Sequence, residues 1–209
     1  MPRLWLAGLL VLGSLAARPA TATVVKSLTL EEKTKASSLV VFGRVASVEA
    51  VWEKPGSSIK TMVTFEVTET LKGKVSAGGK VIVRRSGGRI GAKEHRIEGA
   101  STYERGELAV LFLEPVGAEY VEVGVGIGKY EVRTKDGEPY VRFEPSVAEL
   151  RMSPSGGKIS PIQSMTPLKL AEFLDRVRAF SGKKAPSSEP TKYRPLLAAP
   201  QHRRVAVRR

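Results

Sequence analysis

The apolar residues of this chain keep different periods in different stretches. Between Met62 and Leu71 they alternate: Val63, Phe65, Val67 and Leu71 fall on one face, and Thr64, Glu66, Thr68 and Thr70 on the other. Period two with one apolar face predicts a half-buried strand. Leu39 to Val48 is rich in β-formers and predicts a second strand, with Gly43 marking a bulge or bend. Lys80–Arg85 reads as another, and Leu108–Leu113 is apolar at every position, as in a central strand. Tyr120–Val125 alternates again, with Val121, Val123 and Val125 together. Two alternating runs, 129–134 and 139–143, flank Asp136-Gly137, the signature of a tight β-hairpin. Ser86–Gly99 and Ser153–Pro161 read as polar or turn-rich loops.

Helical signals stand only at the two ends. Thr29-Leu-Glu-Glu32 fits a capping box and starts a short helix to about Ser37. Thr166-Pro167 offers an N-cap and a first helical position, followed by a stripe of Leu170, Phe173, Leu174 and Val177 that Ser181-Gly182 closes. Strands this short and this closely spaced predict a mainly β fold, a small barrel flanked by two helices, with a sandwich as the alternative.

Outside this patterned region the character changes. Arg3, the apolar run Leu4–Leu15 and the small residues of Ala20-Thr21-Ala22 form a secretory signal peptide, cleaved after Ala22. The domain is expected over 23–182. Beyond it, 183–209 is basic and interrupted by Pro186, Pro190, Pro195 and Pro200, and reads as a disordered tail. The formal charge of +13 is therefore not one field. The tail holds eight basic residues against Glu189, whereas 23–182 holds 24 basic and 20 acidic residues. There is no cysteine, which removes disulfides and thiolate metal sites, and an exported chain of this kind points to a bacterial periplasm or the extracellular space.

The order of several short motifs carries a resemblance. They are Leu28-Thr-Leu-Glu-Glu32, Val40-Val41-x-Gly43-x-Val45, Trp52, Thr61, Leu71-Lys72-Gly73, Gly87-Gly88, Gly99, Gly106-Glu107, Leu111-Phe112-Leu113, Gly124 and Gly128-Lys129-Tyr130. In this the chain resembles a family of exported bacterial proteins with a β-barrel of the netrin-like or OB-like kind. The resemblance covers about half of the chain and implies a fold without an activity. The barrel is similar to that of animal metalloproteinase inhibitors, but their mechanism needs an N-terminal cysteine that this chain lacks.

The catalytic inventory is thin. The chain has two histidines, His95 and His202, two aspartates, Asp136 and Asp175, and no asparagine. A hydrolase would have to be built on His95 with Glu94 or Glu98, and those three are also the only local metal-type cluster; a solvated loop is the simpler reading of both. Three Ser-x-x-Lys strings lack the companion motifs of penicillin-recognising enzymes. Gly124-x-Gly126-x-Gly128-Lys129 fails the Walker spacing and has strands on both sides, so its glycines serve bending or close backbone approach. Trp52 is expected at a barrel edge. Arg84, Arg85, Arg89, Lys93 and Arg96 form the best candidate binding surface, because guanidinium forks suit carboxylates and phosphates. The sequence thus reads as an exported, non-enzymatic binding module that requires no cofactor. Its expected partner is a protein or an anionic envelope polymer, and nucleic acid is not expected. The alternatives are an envelope structural protein held by its basic tail and the His95 hydrolase.

Overall fold

A computed structural model of the chain describes residues 28–97, 99–124, 126–143 and 167–183. The expected signal segment, the 153–161 stretch, Thr166, Glu98 and all but the first residue of the tail lie outside the described residues.

The capping box forms as expected. Thr29 Oγ1 accepts from the Glu32 amide at 3.2 Å, and Glu32 Oε2 accepts from the Thr29 amide at 2.8 Å, opening α1 (Leu30–Ala36). The next two strands, β1 (Leu39–Lys54) and β2 (Ser58–Lys72), are longer than the sequence pattern showed and pair as one antiparallel hairpin. Their register slips at Gly43, where a Cβ would lie 2.0 Å from the Glu66 carbonyl oxygen. Glycine is required there by the approach of the neighbouring backbone. Then follows β3 (Lys80–Ser86). The expected loop after it holds a small hairpin, β4 (Gly88–Ile90) with β5 (Lys93–His95). Its strands are three residues each and mostly polar, too short to show a period.

The chain continues through β6 (Leu108–Val116), β7 (Glu119–Glu122), β8 (Lys129–Lys135), β9 (Glu138–Arg142) and β10 (Leu168–Lys169) to α2 (Leu170–Phe180). The β8–β9 turn is the expected one, with Asp136 and Gly137 at φ 52° and 78°. Five strands close a ring, in the order β1-β2-β3-β7-β6 and back to β1. All its pairings are antiparallel except the single parallel bridge Val83–Tyr120 between β3 and β7. This mainly β, ring-like sheet with two helices is compatible with the expected barrel. From β6 the sheet extends outward through β8, β9 and β10.

Two cores result. Leu39, Val41, Val45, Val63, Phe65, Val83, Ala109, Leu111 and Leu113 fill the inside of the ring. Val40, Phe42, Leu108, Val110, Phe112, Tyr130 and Val141 face the other way and pack with Leu170, Phe173, Leu174 and Val177 of α2. Three expectations need correction here. Leu71 does not share the core of Val63, Phe65 and Val67; the slips near Val40 and Gly43 turn that end of β2 toward α2. Helix α2 starts at Leu170, not at Pro167, because Leu168 and Lys169 instead pair with Val141 and Tyr140, and Lys169 caps without a side-chain bond. The alternation expected over 120–125 also stops at Glu122; Val123 reaches the outer core, Val121 is half-buried, and Val125 lies outside the described residues.

Polar anchors fix the helices on the sheet. Arg178, 3 % exposed, bonds Glu69 through Nε and Nη2 at 3.1 and 2.5 Å and pairs with Asp175. Lys72 Nζ donates to the Thr34 and Lys35 carbonyls at 2.7 and 3.0 Å, placing a cation at the C-terminal end of α1. No helix among the described residues is long and apolar enough to cross a membrane.

Among the described residues, Lys33 is a buried charge whose side chain bonds a neutral group. It is 3 % exposed, donates to the Tyr130 hydroxyl at 2.8 Å, and lies 4.1 Å from the Phe143 ring centroid. Burial lowers its pKa from 10.5 to about 8. Below pH 8 the lysine is charged in both states and the folded state bears the desolvation cost. Between pH 8 and about 10 the folded lysine is neutral while the unfolded one still binds a proton, so stability rises with pH. Above that range Tyr103 and Tyr130, whose pKa values burial raises, oppose the trend. Urea unfolding should show a gain of about 2 kcal/mol between pH 8 and 10, absent in Lys33→Met; an equal slope in both proteins would contradict the assignment.

Candidate functional site

The strand pairing itself creates a cavity at the β7–β8 junction. Both strands run along the same edge of β6, and both ends of the gap bond to one residue. The Val123 amide donates to the Phe112 carbonyl at 2.9 Å, and the Phe112 amide donates to the Gly128 carbonyl at 2.8 Å. The chain between Val123 and Gly128 is therefore looped out of the ladder. Gly124 and Gly126 take φ of 68° and 69° to make that excursion. Together with the end of β3 and with Ile97, Ala100 and Ser101, Gly124 and Gly126 line an open cavity of about 370 Å³. Arg84, Arg85, Ile97, Ser101, Val121 and Glu122 contribute to its wall.

Among the described residues, Glu122 is the acidic group of this wall. Its Oε2 accepts from Ser101 Oγ at 2.7 Å and its Oε1 from the Tyr103 hydroxyl at 2.5 Å. Burial raises the Glu122 pKa; the two hydroxyl donors and the charges of Lys129 and Arg85 pull it back. Tyr103 is held well above its ordinary value, first by burial and then by the Glu122 charge. Behind it Lys129 pairs with Glu107, donates to the Thr102 carbonyl, and lies 4.6 Å from the Tyr103 ring centroid. Burial raises the Glu107 pKa as well, against the opposing charge of Lys129.

Alternation along β3 separates the two arginines. Arg85 follows Val81 and Val83 on the inner face, where Nη1 donates to the Ser101 carbonyl at 2.7 Å and Nε to Ser86 at 3.3 Å. Arg84 takes the opposite face and meets Glu119 at 3.5 Å and Glu53 at 3.9 Å. The remaining basic candidates stand on or beside the small hairpin. Arg89 bonds the Gly91 carbonyl at 3.2 Å, Lys93 bonds that of Gly56 at 3.2 Å and lies 5.6 Å from the Trp52 ring centroid, and Arg96 is exposed. Of the five basic candidates, the structure brings Arg84 and Arg85 to the cavity.

His95 and Glu94 are exposed on β5. Among the described residues no group of three or more His, Asp or Glu is placed to hold a metal ion. Trp52 is half-buried near the far end of the β1–β2 hairpin, opposite Ile59. Sequence reasoning gave no site role to Glu122, Ser101, Tyr103 or Lys129, which are scattered over three short stretches. The glycine run was the available signal: it indicated a tight bend, but not that the bend would line a cavity.

No protein-family model matches the chain, and no curated relative matches it.

The Lys129–Glu107 pair gives a direct test of this geometry. Lys129→Met leaves Glu107 buried without its cation and should cost about 3–5 kcal/mol in urea unfolding. The double variant Lys129→Met/Glu107→Gln should recover part of that loss, whereas additive losses would contradict the pairing.

Proposed function

We propose that the protein is an exported binding module whose ligand carries an anionic group and sits in the cavity beside Arg85. The observation that carries this reading is the state of that guanidinium. The Nε N–H and one N–H of Nη1 go to backbone carbonyls, which fix its plane, while the other Nη1 N–H and Nη2 have no acceptor among the described residues. A preset fork of this kind suits a carboxylate or phosphate. The volume lies near the lower end of the range for small-molecule pockets, roughly 300–1,000 Å³, and Ile97 and Val121 supply apolar contact.

Export is supported by the apolar segment 4–15 and the small residues at 20–22. The motif order that resembles exported barrel proteins agrees with it. The non-enzymatic reading rests on the character of the wall: each oxygen of its carboxylate accepts one hydroxyl, and the exposed His95 is not among the lining residues.

Titration of the full chain with acetate and with inorganic phosphate, followed by amide NMR, tests the proposal. Shifts should appear at Ser101, Glu122, Gly124 and Gly126, with millimolar affinity. Arg85→Met, which keeps the stem and removes the fork, should weaken binding at least about tenfold, a loss of about 1.4 kcal/mol. Shifts confined to residues 183–209, or an unchanged affinity in Arg85→Met, would overturn it.

A further inference from the structure

The cavity wall holds a cation and a carboxylate that do not bond to each other. Arg85 forms its described bonds to the Ser86 and Ser101 carbonyls, and Glu122 forms its own to the Ser101 and Tyr103 hydroxyls. Ser101 stands between them: its carbonyl receives the guanidinium and its hydroxyl donates to the carboxylate. Opposite charges in one half-buried wall would ordinarily collapse into an ion pair, which is stronger than either bond to a neutral group. Here a serine and a tyrosine hold them apart.

That separation sets a selection rule. A simple anion on Arg85 is repelled by Glu122, and a simple cation on Glu122 is repelled by Arg85. A molecule bearing both charges meets each with its opposite. Each Glu122 oxygen has one described donor, which leaves acceptor capacity on both. Arg84 does not upset the balance, because Glu119 and Glu53 offset it, and Lys129 is taken by Glu107. Ile97, 42 % exposed, and Val121 give an apolar side chain somewhere to lie.

We infer that the cavity takes a small zwitterion of the α-amino-acid class, its carboxylate on Arg85 and its ammonium on Glu122. This rests on the reading of the cavity as an anion-accepting ligand site and narrows it. A peptide does not fit the rule, since its terminal ammonium and carboxylate belong to different residues.

The test compares L-valine with N-acetylvaline and valinamide, each of which lacks one charge, by the same NMR titration of the full chain. Valine should bind at least about tenfold more tightly than either, the equivalent of about 1.4 kcal/mol. Glu122→Gln should abolish the preference over N-acetylvaline while leaving acetate binding in place. The analogue series on the native chain needs no variant, so a misfolded Glu122→Gln leaves the test intact. Equal affinities for valine and N-acetylvaline, with acetate still bound at the cavity, would overturn the zwitterion alone. Failure of acetate and valine alike to shift the cavity residues would overturn the underlying site.

Discussion

Everything in this fold depends on two neighbouring stretches, Leu39–Gly43 of β1 and Leu108–Leu113 of β6, that have no solvent face. Along β6, Leu108, Val110 and Phe112 point to the outer core and Ala109, Leu111 and Leu113 to the inside of the ring. Along β1, Val40 and Phe42 face outward and Leu39, Val41 and Val45 inward. Fully burying a side chain of this kind contributes roughly 1.5–3 kcal/mol, so the pair draws on both cores. It also ties them together: α2 packs on one side of a layer whose other side lines the ring.

The cavity is a consequence of the same arrangement. β6 carries β1 on one edge and must accommodate both β7 and β8 on the other. A single residue, Phe112, bonds the end of one and the beginning of the next, and the surplus chain has to leave the sheet. The glycines at 124 and 126 permit that departure, and the displaced loop becomes a wall. The polar groups behind it are held by partners rather than by solvent. Glu107 has Lys129, Glu122 has two hydroxyls, and Arg85 has two carbonyls. Such a network holds its members in place only while each is satisfied.

Much of the scaffold was legible in the sequence because its signals are local. The capping box at Thr29, the Asp136-Gly137 turn, the alternation of β2 up to Val67 and the α2 stripe each need only a few adjacent residues. What was missed needs distant ones. The twist that sends Leu71 to a different core arises from slips in pairing with β1, some thirty residues earlier. The late start of α2 reflects the pairing of Leu168 and Lys169 with β9, a tertiary contact that overrides a good capping sequence. Of the basic candidates, Arg84 and Arg85 line the cavity, whereas Arg89, Lys93 and Arg96, close to them in sequence, stand on or beside a hairpin too short to have a period. Glu122 and Tyr103 carry no motif; they meet only because the ring closes.

Hydrogen exchange of the full chain tests most directly whether β1 and β6 join the two cores into one cooperative unit. Amides of Val81 and Val83 border only the ring interior, and those of Phe173 to Val177 border only the outer core. The account predicts that both groups exchange through the same global opening as Val110 and Leu111, with one free energy and one denaturant dependence. Exchange of the α2 amides through a separate, lower-energy opening, with β3 and β6 still protected, would contradict it.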